Sequence, residues 1–317
     1  MIWQEFAIPQ VRDLAWSCFS ADLLDIDCLP GNKSVTSFKP KLTPERKKWL
    51  KTLDRNPSKL LEYLHTSNTT RLGLYFEKLW QYFLLEDQEF TLSGHNLAVR
   101  SKGRTFGEFD IIYYNHTERC HVHLELALKY YLGVPLFNNQ AASHYNQWIG
   151  TNCQDTLDQK LQRLFDHQIR LSKNPHAEQV LEQLTVESLN HQITLKGYLF
   201  NSTVEPLAQP GHLGADIKVC NWQHLEDFQT TLKNSGYEHW LQLPKQYWLA
   251  DSHSNQNLSL YSPEKLTAHL TQHFTISQRP VMICAVGQDH SLAEYSRSFV
   301  TANNWPSCPF PQSKYQK

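Results

Sequence analysis

Three residues in the middle of the chain have the side chains that phosphate chemistry needs. Asp110 lies in the segment FGEFDIIYY, and Glu125 and Lys129 follow in RCHVHLELALKY. Carboxylates that lie close together repel each other unless a cation lies between them, and hard divalent ions such as Mg²⁺ bind carboxylate oxygens while keeping several waters. Such an ion lowers the pKa of a bound water, and a nearby lysine can orient that water or neutralise developing charge. These residue types predict metal-assisted chemistry on a phosphate.

Both segments alternate between polar and apolar residues, which is typical of β-strands. We predict strands at residues 106–114 and 119–130, joined into a hairpin by a polar turn at 115–118. A shorter strand is predicted at 96–101. A hairpin would bring the two halves of the candidate site onto neighbouring strands.

The alternation also predicts which side chains share a face of the sheet. Side chains two positions apart lie on the same face, so Glu108 and Asp110 are expected on one face with His123, Glu125 and Lys129. With a tight turn, Asp110 would lie opposite His123, and Glu125 would lie one step away on the same face.

A helix is predicted at residues 71–85, because apolar side chains recur almost all around its axis. Such a helix is mostly buried, and Glu77 lies in its middle. A buried carboxylate needs a cation, a proton or a hydrogen-bond partner. Glu77 is therefore either a part of the candidate site or a residue that reaches the surface or pairs with an arginine.

Several basic segments are candidates for contact with a nucleic-acid backbone. Residues 33–51 contain seven basic side chains and one acid, and a helix predicted at 155–171 carries a basic stripe. The alternative for both is an ordinary solvated surface. The nucleic-acid-binding candidates are Lys47, Lys48, Arg100, Lys102, Arg104, Lys160, Arg163, His167 and Arg170.

The order of these elements resembles the PD-(D/E)XK nuclease superfamily. The resemblance is carried by Glu77 in GLYFEKLW, Asp110 in GEFD, and Glu125 and Lys129 in ELALK. It covers about residues 70–175. The segments GLYFEKLWQYFL, GEFDIIY, HLELALKYYL and DTLDQKLQRLFDHQ also resemble those of bacterial proteins grouped as a domain of unknown function.

The resemblance implies an α/β fold with a central mixed sheet flanked by helices, a restriction-endonuclease-like core at residues 69–190. Helix-start signals at Thr43-Pro44 and Asn56-Pro57 predict a helical N-terminal segment at 1–68. Mixed strand and helix patterns predict a small C-terminal α+β domain, or an extension of the sheet, at 191–317.

The resemblance further implies that Asp110 and Glu125 hold one or two Mg²⁺ or Mn²⁺ ions. Glu77 would be an auxiliary ligand, and Lys129 would lie near the attacking water. The expected activity is hydrolysis of a phosphodiester in nucleic acid, with DNA as the expected substrate.

One feature departs from the superfamily's pattern, in which one residue separates Glu from Lys. Here Glu125, Ala127 and Lys129 occupy one strand face. Either the lysine has moved outward, or the glutamate has moved inward and Ala127 marks its former place. Two positions along a strand span about 6.6–6.8 Å, which a lysine covers more easily than a carboxylate. We therefore prefer Glu125 as the ligand, with Lys129 displaced and Glu108 as a substitute ligand.

This departure keeps two other functions open. One is a degenerate nuclease fold that serves as a nucleic-acid- or protein-binding module. The other is an enzyme acting on a small phosphate or nucleotide. The formal net charge of −1 favours these two over an avid, sequence-indifferent DNA binder.

The composition limits the class of protein. The 317 residues are 40% hydrophobic, which excludes a wholly disordered chain. No apolar run approaches the length of a membrane span, and no secretory leader is recognisable at the N-terminus. The seven cysteines show no CxxC spacing, which argues against a disulfide framework or a structural zinc site. We expect a cytoplasmic protein that has no membrane partner.

Overall fold

The structure is a computed structural model that describes residues 1–30, 34–66, 71–135, 144–251, 258–287 and 294–306. Lys33, which begins the predicted basic segment, and Cys308 lie outside the described residues, and so do residues 67–70 around the predicted segment boundary. Within the described residues, no helix is both long and apolar enough to cross a membrane.

Helices and strands alternate along the chain. The helices are α1 (Pro9–Phe19), α2 (Pro44–Arg55), α3 (Ser58–His65), α4 (Leu72–Glu86), α5 (Leu157–Arg163), α6 (Glu178–Gln183), α7 (Leu225–Asn234) and α8 (Pro263–Ile276). The strands are β1 (Val35–Ser37), β2 (Phe90–Ser101), β3 (Arg104–Asn115), β4 (Cys120–Gly133), β5 (Trp148–Gly150), β6 (Leu189–Ser202), β7 (Cys220–His224), β8 (His239–Gln242), β9 (Leu260–Tyr261), β10 (Val281–Val286) and β11 (Glu294–Thr301).

Shorter helical turns connect these elements. A π-helical turn at Leu164–Gln168 directly follows α5. The 3₁₀ turns are Ile2–Glu5, Ile26–Cys28, His144–Gln147, Leu171–Lys173, Pro175–Ala177 and Lys245–Tyr247.

The chain forms two compact units. Unit 1 comprises residues 1–128, 160–197 and 212–217, and unit 2 comprises residues 129–159, 198–211 and 218–317. These units do not follow the three predicted segments, since residues 129–159 of the predicted core belong to unit 2. Whether residues 1–68, 69–190 and 191–317 fold as separate domains stays a prediction.

Unit 1 contains a mixed sheet with helices packed against it. Its strand order is β2-β3-β4-β6, and β1 pairs in parallel with β6. Aromatic side chains of α4 pack on the sheet, where Phe83 contacts Phe90 and both Phe90 and Trp80 contact neighbouring rings of the core. A second buried cluster joins Phe109 and Ile112 of β3 to residues that follow the π-turn. This packing fixes β3 and β4, which carry the candidate site.

Unit 2 contains strands that pair β7-β11-β10-β8-β9. The β7–β11 pair is parallel, and the β11–β10, β10–β8 and β8–β9 pairs are antiparallel. Helices α7 and α8 pack on this sheet through a cluster that includes Phe228, Leu266 and Ile283. The mixed strand and helix character predicted for the C-terminal part is therefore confirmed.

Local signals predicted helix starts with mixed success. The Thr43 side chain caps α2 by accepting the N–H of Arg46, as the Thr-Pro-Glu pattern predicts. The helix predicted at 71–85 is α4, Leu72–Glu86. The Asn56 prediction is wrong in detail, because α3 begins at Ser58 with Pro57 at its N-cap and no side-chain cap.

The prediction of one regular α-helix at residues 155–171 is wrong. The chain forms only the seven residues of α5 before it enters the π-turn Leu164–Gln168. A π-turn underwinds a helix and rotates every later side chain around its axis. The predicted basic stripe, which assumed regular α-helical geometry, is consequently broken.

Candidate active site

The β3–β4 hairpin brings Asp110 and Glu125 together, but in a different register from the prediction. Ile112, and not Asp110, lies opposite His123, and the ladder ends at Ile111–Leu124. The residues between the last pair, Asn115 and Cys120, are 116–119, so the turn lies one residue later than the predicted 115–118. The Asn115 side chain stabilises it by accepting the N–H groups of Thr117 and Glu118. The two-residue shift moves Asp110 away from His123 and toward Glu125.

Asp110 is tied to β4 by its own side chain. Its Oδ2 accepts the backbone N–H of Leu126 at 2.9 Å. Strict alternation along β3 is also lost here, since Phe109 and Ile112, predicted on opposite faces, belong to one buried cluster. Asp110 therefore lies where the strand departs from regular pairing, which leaves its carboxylate beside that of Glu125.

The two carboxyl groups, one buried at Glu125 and one partly buried at Asp110, form a mutually repelling pair. Burial, and then the charge of Glu125, raise the pKa of Asp110 to about 7, against the opposing effects of the Leu126 N–H and Lys160. Burial raises the pKa of Glu125 to about 7 as well, although Lys160 and a hydrogen bond with Asp110 lower it. Such shifts are characteristic of functional sites, where like charges are held close together.

Two side chains hold the Glu125 carboxylate in place. His123 Nε2 lies 2.9 Å from Oε1, and Gln168 Nε2 donates to Oε2 at 2.7 Å. Burial lowers the pKa of His123 to about 4, so the ring is neutral and the contact is a hydrogen bond between Nε2 and the Glu125 carboxyl group. Both Glu125 oxygens are thus fixed in direction.

Gln168 also binds a lysine. Its Oε1 accepts a hydrogen bond from Lys160 Nζ at 2.9 Å. Gln168 is the last residue of the π-turn, and Lys160 lies in α5. The underwound turn therefore places an amide between a lysine and the carboxylate pair. Lys160 was predicted to contact nucleic acid, and its charge acts on both Asp110 and Glu125.

Glu77 and Glu108 lie in a second polar network of unit 1. Asn96 Nδ2 donates to Glu77 Oε2 at 3.0 Å and to Glu108 Oε1 at 3.3 Å. Burial, together with the charges of Asp110 and Glu108, raises the pKa of Glu77 to about 7, whereas the Asn96 hydrogen bond lowers it. Glu77 is thus an electrostatic neighbour of the pair, as its place in the motif suggested.

Lys129 belongs to unit 2, where its ammonium group pairs with an acid. Lys129 Nζ lies 2.6 Å from Asp155 Oδ2, and the Tyr131 hydroxyl donates to the same oxygen at 3.4 Å. Asp110, Glu125, Glu77 and Glu108 all belong to unit 1. A role for Lys129 beside the attacking water stays a prediction.

The donor set suits a hard divalent cation in chemical type. Among the described residues, however, no three His, Cys, Asp or Glu side chains are arranged to hold a metal ion. Mg²⁺ is commonly bound by only one or two carboxylates, with waters and substrate phosphates completing its shell. Asp110 and Glu125 fit that mode, and Glu77 as a third ligand stays a prediction.

The predicted basic segment at 33–51 is largely compensated by acids. Lys47 and Lys51 both contact Glu5, and buried Arg46 pairs with Asp87 and Glu89. Lys48 is exposed. This segment therefore offers less positive charge than its sequence suggests.

The β2–β3 turn presents a different basic surface. Arg100, Lys102 and Arg104 are exposed, and Lys102 adopts a left-handed conformation in the turn. Arg104 lies over the Phe106 ring, which in turn contacts His176. The hairpin is thereby joined to the segment after the π-turn. Arg163 at the end of α5, His167 within the π-turn and Arg170 after it are also exposed.

Sequence reasoning missed Gln168 and Asn96 as partners of the carboxylates. Gln168 carries no charge and lies in a predicted regular helix, so its direction depends on a π-turn that no simple periodicity reveals. His123 was placed on the correct strand face, although its hydrogen bond to Glu125 depends on full burial. Asn96 adopts φ 50°, which the strand pattern did not indicate.

Comparison with known proteins identifies one matching family. Neither the search of curated proteins nor that of solved structures found a match. The family described as a domain of unknown function, DUF1853, matches residues 12–301. The match covers most of the chain and includes every residue of the candidate site. The chain therefore belongs to the DUF1853 family.

Proposed function

We propose that this protein is a metal-dependent phosphodiester hydrolase of the PD-(D/E)XK type that acts on nucleic acid, with DNA as the expected substrate. The observation that carries this proposal is the side-by-side placement of Asp110 and Glu125. The Leu126 N–H fixes one carboxylate, and Gln168 and His123 fix the other. Preorganised carboxylates of this kind suit the binding of a cation and a phosphate.

The residues of the site would divide the work as follows. Asp110 and Glu125 would hold Mg²⁺ or Mn²⁺, which when bound supplies an acidic water and stabilises charge on the phosphoryl group. His123 and Gln168 keep the Glu125 oxygens in one orientation. The exposed cations of the β2–β3 turn and of the segment after α5 would contact backbone phosphates.

Binding of a cation by Asp110 and Glu125 would release a proton. The pKa of each carboxyl is raised to about 7, so at neutral pH the pair retains part of a proton. A bound cation would displace that proton, because metal ligands must be deprotonated. We therefore expect metal affinity to increase as the pH rises through 7.

A binding module without catalysis is the second candidate. The observation that favours it is the lack of a three-ligand cluster among the residues that the structure describes. Such a module would retain the exposed cations and bind nucleic acid without cutting it. The two functions differ in their dependence on the carboxylate pair.

Calorimetric titration with Mn²⁺ and cleavage assays on duplex and single-stranded DNA test the proposal. We expect the wild type to bind Mn²⁺ and cut DNA, and Asp110→Ala to lose both. Glu118→Gln is the matched control, since Glu118 is an exposed carboxylate of the same hairpin. DNA binding that survives Asp110→Ala, with no cleavage by the wild type, would establish the binding module instead.

A further inference from the structure

The lysine that acts on the carboxylate pair lies outside the strand motif. Lys160 Nζ donates to Gln168 Oε1 at 2.9 Å, and Gln168 Nε2 donates to Glu125 Oε2 at 2.7 Å. The charge of Lys160 lowers the pKa of both Asp110 and Glu125. One lysine is therefore coupled to both acids, and an amide links it to one of them.

We propose that Lys160, held by Gln168, is the positioning lysine of the Asp110–Glu125 site, in place of Lys129. Lys129 is already engaged with Asp155 at 2.6 Å. This role deepens the proposed function and rests on it for its chemical meaning. The coupling of Lys160 to the pair can nevertheless be tested without any assay of activity.

Two features explain why the lysine comes from α5: β4 carries an alanine at position 127, and a π-turn follows α5. Ala127 is buried, with 4% of its surface exposed, and its methyl group brings no charge to the strand face where the superfamily pattern places a charged residue. The π-turn rotates Gln168 so that one amide reaches both Lys160 and Glu125. Rigid π-turns frequently occur at functional sites for this reason.

When both carboxyl groups are ionised, two acids near one lysine are negative in sum, so the site keeps an affinity for a further cation. Lys160 reduces the repulsion between the carboxylates but does not cancel both charges. A lysine in this position would favour the ionised carboxylates that a metal needs, and the remaining negative charge would still attract the metal.

The test is a comparison of thermal stability at two pH values. We expect Lys160→Met to lower the Tm relative to wild type by about 2–4 °C more at about pH 8 than at about pH 5.5. At the higher pH the carboxylates of Asp110 and Glu125 are ionised, so the substitution removes the positive charge that stabilises them. At the lower pH both groups are protonated, and the loss of the lysine charge matters less. Lys160→Arg keeps the charge and should restore most of the difference.

Two controls separate electrostatic coupling from a packing role. Lys41→Met removes an exposed lysine from the same unit and should show no pH-dependent difference. In an Asp110→Asn, Glu125→Gln background, Lys160→Met should lose its pH dependence, because its partners are neutral. Glu77, Glu108 and His123, which also act on the pair, are unchanged in every variant.

An equal Tm loss at both pH values, or one that persists in the neutral background, would overturn the role of Lys160. If Lys160→Met does not fold, Lys160→Gln supports the same comparison. Where the wild type proves to cut DNA, Lys160→Met should lower kcat by about 10²-fold while Mn²⁺ binding persists. Coupling without cleavage by the wild type would leave the role of Lys160 intact and reject the proposed hydrolase.

Discussion

Two acidic regions of unit 1 differ in how their charge is balanced. Asp22 lies 3.1 Å from Lys196, and both side chains are almost fully buried. At the candidate site, Asp110 and Glu125 lie beside each other and are coupled to Lys160. One acid with one cation is a closed pair, whereas two acids with one lysine leave negative charge unbalanced once both acids are ionised.

The backbone around Asp22 is tightly packed. A Cβ built on Gly214 would lie 1.8 Å from the Asp22 carbonyl oxygen, so the chain approaches too closely for any side chain. Burial raises the pKa of Asp22, and Lys196 opposes that change. The region is packed for stability, while the candidate site retains the potential to accept a cation.

The largest expected effect comes from opening the closed pair. Lys196→Met would leave Asp22 buried without its cation, which typically costs about 3–5 kcal/mol. Urea unfolding measures this loss, with Lys233→Met as the exposed control. A loss of unfolding free energy below about 1 kcal/mol would mean that Asp22 is protonated or reaches water. The Asp22–Lys196 region would then not differ from the candidate site in charge balance.

Gly214→Ala should have the next largest effect. The added methyl group overlaps the Asp22 backbone, and overpacking of this kind costs about 1–3 kcal/mol. Gly211→Ala is the matched control, because a Cβ at Gly211 meets no atom within 4 Å. The same urea titration compares the two variants, and equal stability would show that the backbone at Asp22 can move.

Asp110→Asn should stabilise the protein at high pH. The folded-state pKa of about 7 lies well above the ordinary value of an aspartic acid, so the folded wild type binds a proton that the unfolded chain releases. Wild-type stability therefore falls as the pH rises through this window. We expect the variant to exceed wild type by about 1–2 kcal/mol near pH 8 and by less near pH 5.5.

The histidines affect the same measurement with the opposite sign. Burial lowers the pKa of His123 and His191 to about 4, so these groups make wild-type stability rise with pH between about 4 and 6.5. The difference between Asp110→Asn and wild type is therefore most informative above pH 6.5. Thermal unfolding across this range measures it, and a variant that is equally destabilised at every pH would contradict the raised pKa of Asp110.

The smallest effect is expected at the compensated basic segment. Lys47→Ala removes an exposed ion pair with Glu5, which contributes about 0.5 kcal/mol or less. DNA affinity, measured by fluorescence anisotropy, should also change little, whereas Arg100→Ala with Arg104→Ala should weaken it clearly. The reverse ranking would restore the segment at 33–51 as the main nucleic-acid surface.

Local sequence signals predicted much of the fold. The Thr43 cap, helix α4 and the β3–β4 hairpin follow from capping chemistry and hydrophobic period, which depend on neighbours along the chain. The register of the hairpin did not follow, because the turn lies one residue later than predicted, where the Asn115 side chain accepts the N–H groups of Thr117 and Glu118. The interruption of the predicted helix at Leu164 likewise had no periodic signature.

The sequence alone indicated that Asp110 and Glu125 would lie on neighbouring strands, and that Glu77 would lie in the middle of a mostly buried helix. Those conclusions rest on residue type and period, which are local properties. Only the tertiary structure decided that Lys160 and Gln168 act on the pair while Lys129 binds Asp155. The physical reason is that a charge acts through space, and its distance to a partner depends on turns and packing that no local pattern encodes.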